Sequence, residues 1–130
     1  MSEGFTVTFP DVPEAITEGD TPEEVREKAE DALVTALSFY TDEGRPLPTP
    51  SAARGRPVAM VPSLVAAKLA LHGAMLSAGI SNVELGRQLG LDEKSVRRLR
   101  DPLHRSHIDQ IEAALRLLGK RLEVRMLEAT

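Results

Sequence analysis

Apolar residues recur along this chain with two different periods, and each stretch predicts its own element. Over residues 4–10, Phe5, Val7 and Phe9 alternate with Thr6 and Thr8, the period of a strand with one buried face. Pro10 and Pro13 end that strand. A short second strand around Ala15–Thr17, closed by a turn at residues 18–20, is expected to pair with it as a hairpin. From Thr21 the period lengthens. Val25, Ala29, Ala32, Leu33, Ala36, Leu37 and Tyr40 fall on one helical face, with Glu23, Glu27, Glu30 and Asp31 largely outside it. Thr21 as N-cap, Pro22 at the first helical position and Glu24 at the capping-box position start this helix, which is expected to reach about Thr41.

Between Gly44 and Pro57 stand four prolines, Pro46, Pro48, Pro50 and Pro57. Each lacks an amide donor and restricts the residue before it, so this stretch reads as an extended connection. The apolar run 58–61 (VAMV) has the character of a strand returning to the N-terminal sheet. Pro62 then opens a helix to about Ala78, uncharged apart from Lys68 and rich in Leu64, Leu69, Leu71 and Met75, which must be covered on several sides. His72 is alone on it and reads as packed or hydrogen-bonded at the surface.

Segment 82–101, NVELGRQLGLDEKSVRRLRD, carries the most specific pattern. Leu85 and Leu89 share one helical face. Gly90 permits the left-handed backbone that stops the helix, and Leu91, Val96 and Leu99 bring the next helix back onto the first. Gly86 falls where the two helices meet, with no room for a side chain. Ser81 with Glu84 forms a capping box, Asp92 caps the second helix and Pro102 marks its end. This is the spacing of a helix-turn-helix. Glu93, Lys94, Ser95, Arg97, Arg98 and Arg100 are left outward on the second helix. Arg97 and Arg98 are the candidates for base edges, because a guanidinium fork matches guanine O6 and N7. Ser81, Gln88, Lys94, Arg100 and Arg105 are candidates for phosphates, which set register without reading sequence. The competing reading is a helical hairpin whose basic face is simply solvated.

Ile108, Ile111, Leu115 and Leu118 mark a further amphipathic helix, stopped by Gly119. In 121–127 (RLEVRML) the period returns to two, with Leu122, Val124 and Met126 opposite Arg121, Glu123 and Arg125. A lone strand after four helices needs a partner for its backbone groups. The same strand of a second copy satisfies them and gives the two-fold homodimer that reads half-sites about one helical turn (~34 Å) apart or a multiple of it. The other outcomes are pairing with the N-terminal sheet or fraying.

The net charge of −4 hides an asymmetry. Residues 1–50 hold three basic and twelve acidic side chains, a net −9, whereas residues 51–130 hold thirteen and eight, a net +5. The basic half suits phosphates and the acidic half a cationic protein surface. Cysteine is absent, which excludes disulfides and thiolate metal sites. There is no signal-peptide pattern and no apolar run long enough for a bilayer, so a soluble, cytoplasmic protein without membrane partners is expected. His104 and His107 flank Arg105 without other ligands and read as a solvated turn. The carboxylates from Glu14 to Asp31 lack a paired base, a nucleophile or a phosphate-cradling loop. No enzyme, metal or cofactor is indicated.

As a set, 5–13 (FTVTFPDVP), 16–24 (ITEGDTPEE), the helix with Ala29 and Ala32–Leu33, 47–51 (LPTPS) and the helix-turn-helix resemble the HicB antitoxins of bacterial toxin–antitoxin modules over nearly the full chain. The resemblance implies an α+β protein. Residues 1–61 would form a partial ribonuclease-H-like module, a short antiparallel sheet plus one helix, that binds and blocks a HicA-like RNA-cleaving toxin. Residues 62–130 would form the helix-turn-helix and dimerisation module, with its C-terminal strand, that represses the protein's own operon as a homodimer or higher homo-oligomer on operator DNA. Phe9, Pro10, Asp11, Val12 and Pro13 match the family's Phe-Pro-Asp segment and are the candidates for toxin contact, alongside their role in ending a strand. Only Met1–Gly4 precede the Phe5 strand where the family has a complete strand, so an open sheet edge is expected. Two other functions fit parts of the pattern. One is a ligand-responsive helix-turn-helix regulator without a toxin. The other is a ribonuclease-H-like hydrolase using Asp11 or Asp20, which the lack of a compact acidic cluster disfavours.

Overall fold

The computed structural model describes residues 5–8, 11–12, 15–48, 61–126 and 128. The chain is α+β: among the described residues an antiparallel hairpin leads into a long helix, and four shorter helices follow. Strand β1 (Phe5–Thr8) pairs with β2 (Ile16–Gly19) in the register Phe5↔Gly19 to Thr8↔Ile16. The second strand was expected around Ala15–Thr17 with the turn after it. Instead Glu18 and Gly19 continue the ladder, and the reversal lies before β2, where the Ala15 amide donates to the Val12 carbonyl at 3.0 Å. The expected burial of the Phe5, Val7 and Phe9 side chains and the strand at 58–61, apart from Val61, lie outside the described residues.

Helix α1 (Pro22–Asp42) begins as its sequence demands. Thr21 Oγ1 accepts from the Glu24 amide at 3.1 Å, and the Glu24 carboxylate accepts from the Asp20 amide at 3.4 Å and pairs with Lys28 at 2.7 Å. Its inner face puts Ala36, Leu37 and Tyr40 against Val12 and Ala15, with Leu33, Leu47 and Leu69 at the margin. Past its end the Arg45 guanidinium lies 4.2 Å from the centre of the Tyr40 ring.

Helices α2 (Ser63–Ala78), α3 (Asn82–Leu89), α4 (Glu93–Arg100) and α5 (Ile108–Leu117) enclose a second core of Ala67, Leu71, Met75, Leu85, Val96, Leu99, Ile111, Ala114 and Leu115. Full burial of Leu71, Met75, Leu85, Val96 and Ile111 stabilises the fold by roughly 1.5–3 kcal/mol each. Helix α2 is covered on two sides: Leu71 and Met75 enter this core while Leu69 reaches the cluster under α1. His72 is also fully buried, the packed alternative of the two expected for it. The chain turns by 107° between α2 and α3, and Gly90 ends α3 with φ 72°.

The expected C-terminal strand is not formed. Residues 120–126 run irregularly, and among the described residues their backbone has no ladder partner. Leu122 packs at the edge of the second core, whereas Val124 and Met126 are 91% and 98% exposed.

Candidate nucleic-acid interface

Helices α3 and α4 are set against each other by backbone as much as by side chains. The Leu91 amide donates to the Gly86 carbonyl at 2.8 Å, and a Cβ built on Gly86 would stand 2.5 Å from the Leu91 carbonyl oxygen. Both helix starts are capped: Ser81 Oγ accepts from the Glu84 amide at 3.1 Å, and the Asp92 carboxylate from the Ser95 amide at 2.7 Å. The Ser95 hydrogen bonds hold the Asp92 carboxyl below the usual range, with a smaller contribution from the Arg98 and Lys94 charges.

On α4, Val96 and Leu99 point inward while Lys94, Arg97 and Arg98 are exposed and Ser95 is half-buried. Arg97 is held to Glu93 at 2.7 Å in an exposed i,i+4 pair, an interaction weak enough for a phosphate or base to displace. Lys94 and Arg98 make no side-chain hydrogen bond or ion pair among the described residues. Ser81, Gln88 and Arg105 are exposed as well. The Ser81 hydroxyl accepts the cap bond and keeps its own hydrogen to donate. Gln88 Nε2 is 3.4 Å from Glu84.

Arg100 departs from its expected role. It is 9% exposed, one turn beyond Val96 on the inward face. Its Nε and Nη2 lie 3.2 and 2.6 Å from His72 Nδ1, and Nη1 donates to Asn82 Oδ1 at 2.6 Å. Burial pushes its guanidinium pKa down. It therefore braces α4 from inside, in place of the outward position expected for a phosphate contact. His72 Nε2 stands 2.7 Å from the Arg45 carbonyl. Burial keeps the imidazole pKa low, the Arg45 carbonyl opposes that, and the Arg100 charge adds to it.

Lys68 positions the end of α4, a role that the sequence did not single out. Fully buried, its Nζ donates to the Arg98 carbonyl at 2.7 Å, the Leu99 carbonyl at 3.4 Å and Ser106 Oγ at 2.7 Å, satisfying carbonyls at the end of α4. Burial brings its pKa down to about 8 against the pull of Asp101. An otherwise apolar helix with one lysine, facing a basic helix that lacks a C-terminal glycine, was the available signal.

Of the candidate toxin contacts, Phe9, Pro10 and Pro13 lie outside the described residues. Asp11 is half-buried. Val12 is buried under α1 with Ala15, Ala36 and Tyr40, so it is a core residue and not an open contact. Among the described residues there is no group of three or more His, Cys, Asp or Glu side chains able to hold a metal, and no single helix is long and apolar enough to cross a membrane.

The family model described as "HicB_like antitoxin of bacterial toxin-antitoxin system" matches residues 1–70. Similarity to individual proteins continues through the basic half. "Antitoxin HicB 2" of Photorhabdus laumondii is 46% identical over 121 residues, covering 93% of this chain and 86% of its own length. "Antitoxin HicB" of Pseudomonas fluorescens is 43% identical over 114 residues, covering 86% and 78%, and "Antitoxin HicB" of Escherichia coli is 38% identical over 125 residues, covering 95% and 91%. The chain belongs to the HicB antitoxin family.

Proposed function

We propose that this protein is an antitoxin with two working surfaces. Residues 1–61, a partial ribonuclease-H-like module, bind and block a HicA-type RNA-cleaving toxin. Residues 62–130 repress the protein's own operon, with α3 and α4 acting as a helix-turn-helix and α4 entering the major groove. The observation that carries the DNA-binding part is the outward row of Lys94, Arg97 and Arg98 on a helix whose opposite face is locked into the core. Family membership and the opposite charges of the two halves support the toxin-binding part, because an RNA-handling toxin is expected to be basic. Ser81, Gln88, Ser95 and Arg105 complete the DNA surface, and Asp11 remains on the toxin side. Leu122, Val124 and Met126 pair with their copies in a second chain. The protein acts by binding in the cytoplasm and has no catalytic centre of its own.

The two surfaces are separable. Arg97→Ala with Arg98→Ala abolishes binding to a duplex from the protein's own upstream region, yet leaves inhibition of the co-expressed toxin intact. Joint loss of both activities in a folded variant, or retention of both, contradicts this division.

A further inference from the structure

His72 stands where three elements meet: its own helix α2, residue 45 just past α1, and α4. Its two ring nitrogens have different partners. A guanidinium has only donors and a carbonyl only accepts, so Nδ1 must be the acceptor for Arg100 and Nε2 must carry the hydrogen for Arg45. Only the neutral ring with hydrogen on Nε2 satisfies both. From Arg100 the hydrogen bonds continue outward. Asn82 Oδ1 accepts from Arg100, Asn82 Nδ2 donates to Glu93 Oε1 at 3.4 Å, and the same Glu93 oxygen holds Arg97. The path thus runs from the end of the N-terminal half to an exposed arginine of α4.

We propose that His72 is a positioning residue for α4. While neutral, it holds Arg100 and the Asn82–Glu93–Arg97 chain in the arrangement that meets DNA, and protonation breaks that hold and lowers operator affinity. This inference rests on the DNA-binding reading of α4. A proton taken from water onto Nδ1 would aim a hydrogen at a guanidinium nitrogen 2.6 Å away, so one of the two cations must leave the site. Charged and titratable groups on the packed elements include Lys68 in α2, Tyr40, Asp42, Glu43 and Arg45 at the end of α1, and Glu93, Lys94, Arg97, Arg98, Arg100 and Asp101 in and after α4. Among the described residues no carboxylate bonds the ring to compensate. The ring's pKa lies below its ordinary 6.5, so between the two values the unfolded chain binds more protons. Stability from this site is therefore full above 6.5 and is lost as pH falls toward the folded value.

The test uses the full chain with His104→Gln and His107→Gln, so that His72 is the only histidine, and a fluorescent duplex from the upstream region. Between about pH 7.5 and pH 5, affinity should fall as His72 takes up its proton, whereas the further variant His72→Gln, which offers an acceptor and donors but does not titrate, should stay flat. The sign is diagnostic, because added positive charge alone would strengthen DNA binding. Equal pH profiles with and without His72, or affinity rising on acidification, overturn the proposal. Absence of binding at about pH 7.5 overturns the DNA-binding reading itself. An NMR titration of the same protein, without DNA, decides the linkage separately, including where His72→Gln does not fold. The Arg100 Nε–H and Asn82 side-chain signals should move with the His72 midpoint, and signals that stay fixed overturn it.

Discussion

Gly86 and Leu91 are in backbone contact across the turn between α3 and α4, so close that a methyl group on Gly86 would sit 2.5 Å from the Leu91 carbonyl oxygen. The partner is main chain, held by its own bond to Gly86, and cannot swing away. Gly86→Ala should therefore cost about 1–3 kcal/mol in urea unfolding and separate the two helices. Gly73, inside α2, has nothing within 4 Å of an added Cβ, so Gly73→Ala should instead stabilise by about 0.5–1 kcal/mol. Equal effects of the two changes would show that the close approach at Gly86 has no energetic weight.

Lys68 links α2 to the end of α4. Lys68→Met keeps the stem's volume but leaves the Arg98 and Leu99 carbonyls and Ser106 without their donor, so unfolding free energy should drop by about 1–3 kcal/mol at neutral pH. The pH dependence identifies the charge. Burial holds the folded amine's pKa at about 8 against an ordinary 10.5, so across that interval the unfolded chain holds more protons and stability rises with pH. A neutral amine still donates two hydrogens. The slope should be present in wild type and smaller in Lys68→Met, and identical slopes in denaturation series would remove Lys68 as its source.

Val124 and Met126 are almost wholly in water while Leu122, two residues earlier, touches the core. The Arg125–Glu123 pair beside them is exposed and contributes little. If these side chains meet their copies in a second chain, Val124→Asp with Met126→Asp should convert a dimer to a monomer in sedimentation. Operator affinity should then weaken more than tenfold, because two half-sites are no longer bound together. A wild-type chain that sediments as a monomer at micromolar concentration would rule out this pairing.

Much of this arrangement was legible in the residues because the features are local. Thr21 with Glu24, Ser81 with Glu84, and Asp92 with Ser95 are caps within one turn, and Gly86 and Gly90 hold positions that their spacing dictates. What escaped depends on contacts distant in sequence. Arg100 reads as outward because a charged residue is rarely buried, although its place four residues after Val96 puts it on the inward face. The partner that makes its burial possible, His72, lies on another helix, as does Lys68, whose acceptors are some thirty residues away. The C-terminal alternation is real, but a strand exists only with a neighbour, and none pairs with it among the described residues. At the other end, β2 begins and ends later than its turn residues suggested, because Glu18 and Gly19 gain ladder bonds to β1.

The measurement on which the DNA-binding reading stands is a polarisation titration of the intact protein on its own upstream duplex, repeated across a range of salt. Saturable binding should appear, preferring that duplex to a scrambled one, with a log–log salt slope of about −0.9 for each phosphate neutralised. Replacing Arg98 by Ala should cost on the order of 1–3 kcal/mol and relax the preference at one base pair. No binding above the scrambled duplex, even at low ionic strength, would mean that the exposed arginines of α4 are only a solvated face.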